Sequence, residues 1–366
     1  MNFTHPFDAT TTTQSRAQKF QFPVGYHYLH PDVSLNFQMN RCFNWVGDAT
    51  MLNEMRSVTP FIDSVADFTR EFMTLAERAL GVREWLKAAF YLRAAEFFML
   101  PGNPAKHPTR ERFLQLVKTH YDVQETDHAR IPYEGGALSA YRFTTASPKG
   151  IIVVFGGFDS YIEECFAFLF ALRDAGYEVT LLGLSLGGGL VVRTAAYETR
   201  VRRIIADDVL TNFSEVVLRQ VNGLTRLLLK SLVTIRAARA INTLMKRAAK
   251  RSPVIEWGLQ QGLHVTGSRT PYEFLLKIRS YSTAAVSPRV TQDALLFAAA
   301  RDHYVPLHQF QDQVTSLRNA RSITKRMFSR AEHADNHCQV GNLGLSLKVI
   351  VTWLDAMATN TGKALQ

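Results

Sequence analysis

The stretch AGYEVTLLGLSLGGGLVVRTAA, Ala175 to Ala196, carries the pattern that decides the fold. An apolar segment is followed by Gly183-Leu184-Ser185-Leu186-Gly187 and then by a run of small and apolar residues. In a G-x-S-x-G turn between a strand and a helix, the serine has a strained backbone that exposes its hydroxyl. Glycines flank it because side chains there would collide with the strand or the helix. The stretch therefore predicts a nucleophile, Ser185, on a strand-to-helix turn.

The segments around this turn alternate between strand and helix patterns. GIIVVFGG, residues 150–157, and YEVTLL, residues 177–182, are short apolar runs typical of strands that are buried on both faces. Two further strands are predicted in VRRIIADDVL, residues 201–210, and in DALLFAAARDHYVP, residues 293–306. HARIPY and ALSAYRFTT flank a glycine turn and predict a hairpin. This alternation predicts an α/β fold with a mostly parallel sheet flanked by helices.

Three parts are expected along the chain. Residues 1–20 are polar and threonine-rich and form a tail, whereas residues 21–125 predict an N-terminal helical domain. In that domain, SVAD is a helix start signal, and apolar residues then recur at three- and four-residue steps. Residues 126–366 contain the predicted sheet and Ser185. A helical insertion is expected at about 213–286, since this segment is too long for a plain connection between strands.

Length and composition indicate an ordinary globular protein, with 366 residues, 46% hydrophobic and 20% charged. The first twenty residues lack the apolar core of a secretory signal, and no uncharged apolar run reaches the length of a membrane span. The three cysteines are widely spaced and predict neither a disulfide framework nor a zinc cluster. We expect a cytoplasmic protein without metal. A nucleotide cofactor is not expected either, because GLSLGGG lacks the G-x-G-x-x-G spacing.

The net charge of +10 is concentrated in one stretch, from Arg219 to Arg251. This stretch contains no acidic residue, and its cations alternate with apolar residues as in amphipathic helices. The simplest interpretation is a solvated helix face; an anionic substrate or acidic partner, a membrane surface and a nucleic acid are the alternatives. We predict no nucleic-acid partner. The nine cations are Arg219, Arg226, Lys230, Arg236, Arg239, Lys246, Arg247, Lys250 and Arg251.

A serine hydroxyl needs a histidine base that is oriented by a carboxylate. On the predicted fold these residues follow one another in the order serine, acid, histidine. Asp302 ends the last predicted strand, and His337 lies in RAEHADNHCQVGN, before a final amphipathic helix. Ser185, Asp302 and His337 are therefore the predicted catalytic residues.

Several neighbours compete for these roles. His333 is the main alternative base, while His303, beside Asp302, is expected to lie next to the site. Asp207 and Asp208 end another predicted strand, and Asp208 is an alternative acid. Cys338 follows His337 directly, and side chains at adjacent positions seldom face each other, so a thiol nucleophile is disfavoured.

Acyl transfer also needs two N–H donors for the oxyanion that forms in the transition state. One donor is expected from Leu186, the residue after the nucleophile. The other is expected from the loop FGGFDSYIEE, where Gly156 and Gly157 allow the backbone to approach a ligand closely. We assign this second donor to Phe158, with Gly157 as part of the same site.

Six segments together resemble a family of α/β-hydrolases, the one that includes the fermentation-respiration switch protein, 2,6-dihydroxypseudooxynicotine hydrolase and the fungal polyketide-shortening hydrolases. The segments span nearly the whole chain, and they are LNFQMNRCFN, AAFYLRAAEFFM, GGFDSYIEE, GLSLGG, RDHYVP and HCQVGN. The resemblance implies the α/β-hydrolase fold, the roles given above to Ser185, Asp302 and His337, and an oxyanion site at residues 156–158. It also implies that the N-terminal helices cover the active site. Several members of this family cleave carbon-carbon bonds next to a carbonyl, and others resemble esterases.

The chain departs from this family at one point. Between the oxyanion strand and the serine strand, such hydrolases have a further strand and helix, about 30 to 40 residues. Here the first half of YEVTLL resembles the end of the earlier strand, and its second half resembles the end of the serine strand. The absent strand belongs between the hairpin and GIIVVFGG. We therefore expect either that the hairpin pairs directly with GIIVVFGG or that backbone groups there are left without partners.

Two functions follow from these observations. The first is a serine hydrolase that cleaves a carbon-carbon bond next to a carbonyl, or an ester, in an aromatic or polyketide-like small molecule. The alternative is a catalytically impaired, truncated hydrolase that acts as a binding or regulatory scaffold, docking an acidic partner through Arg219 to Arg251. By analogy, the N-terminal helices can form a homodimer.

Overall fold

The computed structural model describes residues 20–144, 149–176 and 180–363, with side chains through residue 358. The predicted tail, apart from Phe20, and the first three residues of YEVTLL lie outside the described residues. The helices are α1 (Val33–Val46), α2 (Thr50–Val58), α3 (Val65–Gly81), α4 (Trp85–Phe98), α5 (Lys106–His120), α6 (Phe166–Ala175), α7 (Leu186–Ala195), α8 (Phe213–Arg219), α9 (Gly223–Thr234), α10 (Ala238–Ala249), α11 (Pro253–Thr266), α12 (Pro271–Ile278), α13 (His308–Ser316) and α14 (Leu343–Lys363). The strands are β1 (His128–Tyr133), β2 (Gly136–Tyr141), β3 (Ile152–Phe155), β4 (Thr180–Leu184), β5 (Arg203–Asp207), β6 (Asp293–Ala299) and β7 (Ser322–Phe328).

Five parallel strands form the central sheet in the order β3-β4-β5-β6-β7, which is also their order along the chain. Alternate residues of β6 face opposite sides of this sheet. Leu296 packs with Val192 of α7, whereas Leu295 and Phe297 pack with Trp353 of α14. Both faces are therefore covered by helices, and the predicted mostly parallel sheet is confirmed.

Strand β7 is an element that the sequence pattern did not predict. It pairs with β6 over seven residues, from Ser322 to Phe328. It lies at one end of the sheet, and only Phe328 is fully buried. Lys325 and Arg326 interrupt its apolar pattern because an edge strand needs little apolar surface.

The opposite end of the sheet shows the effect of the short connection before β4. Among the described strands, β3 pairs with β4 alone, and the hairpin β1-β2 forms a separate two-stranded sheet. Ile151 and Val153 are 62% and 40% exposed. Of the two expected outcomes, the hairpin does not pair with β3. It instead contacts α6, where the ring of Tyr141 lies 5.1 Å from that of Phe166.

The predicted helices of the N-terminal part are confirmed as α3, α4 and α5. The SVAD start signal of α3 acts as expected, since Ser64 Oγ accepts a hydrogen bond from the Asp67 N–H at 3.1 Å. These helices share a large apolar core with α1, α2 and α6, and Phe166 and Phe170 belong to both α6 and that core. Through α6 the helical part is joined to the sheet.

Helices α8 to α12 follow β5 and precede β6, in the segment where the insertion was expected. Their core includes Leu229, Ile241 and Phe274, and it also includes Leu186, directly after the serine, and Val305. The inserted helices therefore pack over the carboxyl end of the sheet. In the described part of the chain, no single helix has the length and apolar composition of a membrane span. One pair of helical segments, 330–339 and 343–358, reaches that composition only when taken together, and it is bent by 83°.

Candidate active site

Ser185 occupies a strained turn between β4 and α7. Its backbone φ of 56° and ψ of −117° are unusual for a residue with a side chain. The turn is held by the Ser185 N–H, which donates to the Asp207 carbonyl oxygen at 2.8 Å. A Cβ atom on Gly183 would overlap the carbonyl group of Gly187, so this position accepts no side chain. Gly183 thus has the role that the motif predicts.

The carboxyl ends of β4 and β6 and the loop before α14 bring three predicted residues together. Ser185 Oγ lies 2.8 Å from His337 Nε2, and His337 Nδ1 lies 2.6 Å from Asp302 Oδ2. The second oxygen of Asp302 accepts the N–H groups of Tyr304 and Val305 at 2.7 and 2.9 Å. The resulting chain of hydrogen bonds can move a proton from the serine hydroxyl to the imidazole, which is the requirement for nucleophilic catalysis.

His337 and Asp302 are the two titratable groups in this chain of hydrogen bonds. Both are buried, and the pKa of each is shifted. Burial opposes the charged form of His337, but the Asp302 carboxylate outweighs it and holds the pKa of His337 well above its ordinary value. Burial likewise opposes ionisation of Asp302, yet the charge of His337 and the two backbone donors lower the pKa of Asp302. The carboxylate therefore stabilises the imidazolium that forms when His337 accepts a proton.

Asp208, the alternative acid, lies beside this site without replacing Asp302. Its Oδ2 is 3.5 Å from His337 Nδ1, which is beyond a good hydrogen bond. The same oxygen accepts the backbone N–H of Cys338, and Gln339 Nε2 donates to Oδ1 at 3.3 Å. Burial and the nearby Asp302 charge raise the pKa of Asp208 well above its usual range. Asp208 thus fixes the backbone after His337 and is a second carboxyl group near it.

The structure separates the three histidines that were weighed for the role of base. His333 is exposed at the end of a short helical turn, whereas His337 is buried against Ser185. His303 lies beside the site. The centre of its ring is 3.9 Å from that of Tyr304 and 4.8 Å from that of Phe37. Burial lowers the pKa of His303 to about 4, so it is neutral at physiological pH. The fold does not place His333 beside Ser185, so His333 is corrected as the alternative base.

Cys338 and its neighbours come closest to a metal-binding arrangement in the described residues. Side-chain atoms of Asp208, His337 and Cys338 lie within 4.8 Å of one another. Burial raises the pKa of the Cys338 thiol to about 12, and metal binding and nucleophilic attack both require the thiolate. His337 already contacts Ser185 and Asp302 through its two nitrogens. This donor set therefore fits a metal ion poorly.

The loop after β3 lies directly against the serine turn. A Cβ atom on Gly187 would lie 2.6 Å from the Phe155 carbonyl oxygen, and one on Gly157 would lie 3.2 Å from Ser185 Cβ. The Gly157 N–H donates to Ser160 Oγ at 2.7 Å, so it is not free to bind an oxyanion. Gly157, predicted as part of the same site, is therefore the residue that permits this close approach. No hydrogen bond among the described residues uses the Leu186 or Phe158 N–H.

A buried ionic network, which sequence reasoning missed, holds this loop from the side of the N-terminal helices. Arg93 of α4 donates to the Asp159 carbonyl oxygen at 2.6 Å and to Glu164 Oε1 at 2.8 Å. Arg41 of α1 donates to the other oxygen of Glu164 at 2.6 Å, and Glu96 accepts from Arg93 at 2.7 Å. The available signal was charged residues within AAFYLRAAEFFM, an otherwise apolar helix. Charged residues at buried positions of such a helix need partners on another element.

Aromatic side chains lie near His337 and in the loop after β3. Phe37 of α1 contacts Tyr304 with ring centres 5.7 Å apart, and its ring centre lies 6.3 Å from that of His337. On the other side, Phe158 of the loop after β3 lies 5.1 Å from Phe213 of α8. Residues from the N-terminal helices and from the inserted helices thus both reach the site, which gives it an apolar, aromatic lining.

Comparison with known proteins supports the fold. No protein-family model and no curated protein sequence matches this chain. Among solved structures, wild-type AbyA5 matches with a TM-score of 0.59 and 15% identity, covering 85% of this chain and 94% of that chain. The crystal structure of the 2,6-dihydroxy-pseudo-oxynicotine hydrolase matches with a TM-score of 0.55 and 17% identity, covering 86% and 94%.

These similarities extend over the N-terminal helices as well as the sheet, since they cover more than four fifths of the chain. At such low identity they concern the fold alone. The chain has the α/β-hydrolase fold, so the predicted fold class and the predicted structural resemblance are confirmed.

Proposed function

We propose that this chain is a serine hydrolase that forms an acyl-enzyme on Ser185. The observation that carries the proposal is the continuous line of short contacts from Ser185 Oγ through His337 to Asp302, at 2.8 and 2.6 Å. The α/β-hydrolase fold supports it, because the serine occupies the turn on which that fold carries its nucleophile.

In the first half-reaction, Ser185 Oγ attacks the substrate carbonyl carbon while His337 Nε2 accepts the hydroxyl proton. Asp302 stabilises the resulting imidazolium through Nδ1. The Leu186 and Phe158 N–H groups bind the oxyanion of the tetrahedral intermediate. When this intermediate collapses, the bond to the leaving group breaks and His337 protonates that group. A water molecule, deprotonated by His337, then hydrolyses the acyl-enzyme and regenerates Ser185.

For the substrate, we propose an aromatic or polyketide-like ketone or ester. The rings of Phe37, Phe158 and Tyr304 support this class because they lie near His337 and in the loop after β3. In a ketone, the leaving group is an enol or carbanion, and the bond that breaks is a carbon-carbon bond next to the carbonyl. In an ester, the leaving group is an alkoxide. The solved relative named as a hydrolase of 2,6-dihydroxy-pseudo-oxynicotine supports the aromatic class.

The scaffold alternative is less well supported. A binding scaffold has no need for a strained serine backbone or for a buried imidazole between a serine and an aspartate, and strain of this kind costs about 1–3 kcal/mol. Such strain is retained where chemistry requires it. The geometry therefore favours hydrolysis.

The test is covalent labelling with a fluorophosphonate probe, followed by mass spectrometry to locate the adduct. We expect labelling of the wild-type protein at Ser185 and none in Ser185→Ala. We expect His337→Ala to label at least about 10³ times more slowly, because the hydroxyl loses its base. Turnover of aryl esters and of aryl 1,3-diketones then distinguishes ester from carbon-carbon cleavage.

His333→Ala is the matched control, because this exposed histidine lies only four positions from His337. It should label at the wild-type rate. Labelling of a different residue, or undiminished labelling of a folded His337→Ala variant, would contradict the proposal and favour the scaffold.

A further inference from the structure

Seven of the nine cations between Arg219 and Arg251 lie exposed, while the first two have internal roles. Arg219 donates to the Asp302 carbonyl oxygen at 3.3 Å, and Arg226 donates to carbonyl oxygens at the end of α8. Among the described residues, none of the other seven forms a salt bridge, and the stretch contains no acidic residue. These seven are Lys230, Arg236, Arg239, Lys246, Arg247, Lys250 and Arg251.

Helix α9 exposes an apolar stripe beside these cations. Leu224 is 80% exposed, Leu227 64% and Ile235 71%, whereas Leu229 on the opposite face is only 1% exposed. Leu224, Leu227, Leu228 and Ile235 follow helical spacing, so they form one stripe on the solvent face of α9 and the turn after it. Isolated exposed leucines are ordinary, but several large apolar side chains exposed along one helix face indicate an interaction surface.

The following helix, α10, faces solvent with a basic stripe. Arg239, Lys246 and Lys250 recur at seven- and four-residue steps and are exposed, while Ile241 and Met245 are buried on the other side. Helices α9 and α10 pack against each other and are joined by a turn that contains Ile235 and Arg236. The exposed leucines and the exposed cations therefore lie on neighbouring helices of the insertion.

We propose that this surface, formed by the exposed residues of α9 and α10, docks on an anionic lipid bilayer. Exposed leucines can enter the boundary between headgroups and acyl chains, while lysines and arginines bind the anionic headgroups. The binding is peripheral, with α9 lying in the plane of the interface and its Leu229 face held in the protein core.

Other partners fit these observations less well. Two copies facing each other through this surface would bring seven unpaired cations of each copy together, which is repulsive. A nucleic-acid surface typically adds aromatic or polar side chains to its cations, whereas residues 219–251 contain no aromatic residue and expose leucines. A protein that takes up a basic amphipathic helix encloses it in a groove, and α9 is already packed on one side.

The experiment is flotation of the full-length protein with vesicles of phosphatidylcholine, with or without phosphatidylserine. We expect binding to the anionic vesicles only, weakening as salt is raised. In Lys246→Glu/Lys250→Glu, the partition coefficient should fall at least about fivefold for each cation removed. Leu224→Ser/Leu227→Ser should reduce binding to the same vesicles even at low salt.

Two control variants test whether a loss of vesicle binding is specific to this surface. Val82→Ser removes an equally exposed apolar side chain, and Lys348→Glu reverses an exposed charge, each on a different helix or helix end. Both variants should bind anionic vesicles as strongly as the wild type does. Thermal unfolding should verify that every variant is folded. Equal binding to neutral vesicles, equal losses in the controls, or no binding to anionic vesicles would overturn the proposal. So would a dimer in light scattering that Leu224→Ser/Leu227→Ser abolishes.

Discussion

Strands β6 and β3 belong to one parallel sheet and both lead into the candidate active site, yet they are supported very differently. All seven residues of β6 are buried, and Asp302 follows three positions after its end. In β3, by contrast, the strand is short, and Val153 is 40% exposed. Asp302 thus follows a well-packed strand, whereas the loop with Gly157 and Phe158 follows a strand at the edge of the sheet.

The buried ionic network explains how the loop after β3 is held despite this edge. Arg93 binds the Asp159 carbonyl group and Glu164, both in or next to the loop, from a helix outside the sheet. Among the described residues, β3 has no neighbouring strand on its outer side. The loop after β3 is instead held by contacts from α1 and α4. The comparison teaches that the N-terminal helices are part of the framework that holds this loop.

The largest effect is expected at the end of β6. Asp302→Asn should lower kcat by about 10⁴-fold, because the neutral amide no longer stabilises the imidazolium or selects its tautomer. Asp208→Asn should lower kcat by about tenfold or less, since its oxygen is 3.5 Å from His337 Nδ1 against 2.6 Å for Asp302. Steady-state kinetics on an aryl ester measures both. A larger loss in Asp208→Asn would reverse the assignment of the acid.

The next effect concerns the support of the loop after β3. Arg93→Met leaves Glu164 and Glu96 buried with one partner fewer, which should lower the free energy of unfolding by about 3–5 kcal/mol. The matched control, Arg112→Met, removes a surface pair with Glu77 and should cost less than about 1 kcal/mol. Denaturant unfolding measures both values. Equal costs would mean that the network does not support the loop.

A third test compares the strands themselves. Phe297→Ala in β6 should lower the free energy of unfolding by about 3–5 kcal/mol, because it leaves a cavity among fully buried side chains. Val153→Ala in β3 should cost less than about 1 kcal/mol, since this side chain is partly in solvent. If Val153→Ala were as costly, β3 would have a covering partner in solution.

The smallest expected effect is a shift in the pH dependence of kcat/KM. His337 must be neutral to act as a base, and the Asp302 carboxylate raises its pKa against the effect of burial. The acidic limb of kcat/KM should therefore lie above pH 6.5, the ordinary histidine value, and should move to lower pH in Asp302→Asn. A pH-rate profile of both proteins measures the limb. If kcat/KM of the wild type decreased only below pH 6.5, the Asp302 carboxylate would not be raising the pKa of His337.

Much of this arrangement could be predicted from the sequence, for identifiable reasons. The G-x-S-x-G turn is a local signal, since Gly183 is required by a contact within the turn itself, although Gly187 is required by the neighbouring loop after β3. Asp302 and His337 could be predicted because chain order and strand ends determine where they lie. Strand β7 was missed because Lys325 and Arg326 obscure its apolar pattern at the sheet edge.

Other features depend on distant contacts that no local pattern reveals. The pairing of Arg93 with Asp159 joins residues 66 positions apart, and the use of the Gly157 N–H depends on Ser160 turning back toward it. The exposure of Leu224 and Leu227 is also a tertiary outcome, because a leucine-rich helix can bury either face. The sequence pattern indicated an amphipathic helix there but not which side would remain in solvent.

The open side of β3 also bears on how such a fold can change in evolution. Because strand order equals chain order from β3 to β7, a strand-helix unit inserted between α6 and β4 could add a strand outside β3. The existing order β3-β4-β5-β6-β7 would be kept, so no existing strand pair would need to change register. The sheet can therefore gain or lose a strand-helix unit at this end, and chains that differ by such an insertion could share the same arrangement of Ser185, His337 and Asp302.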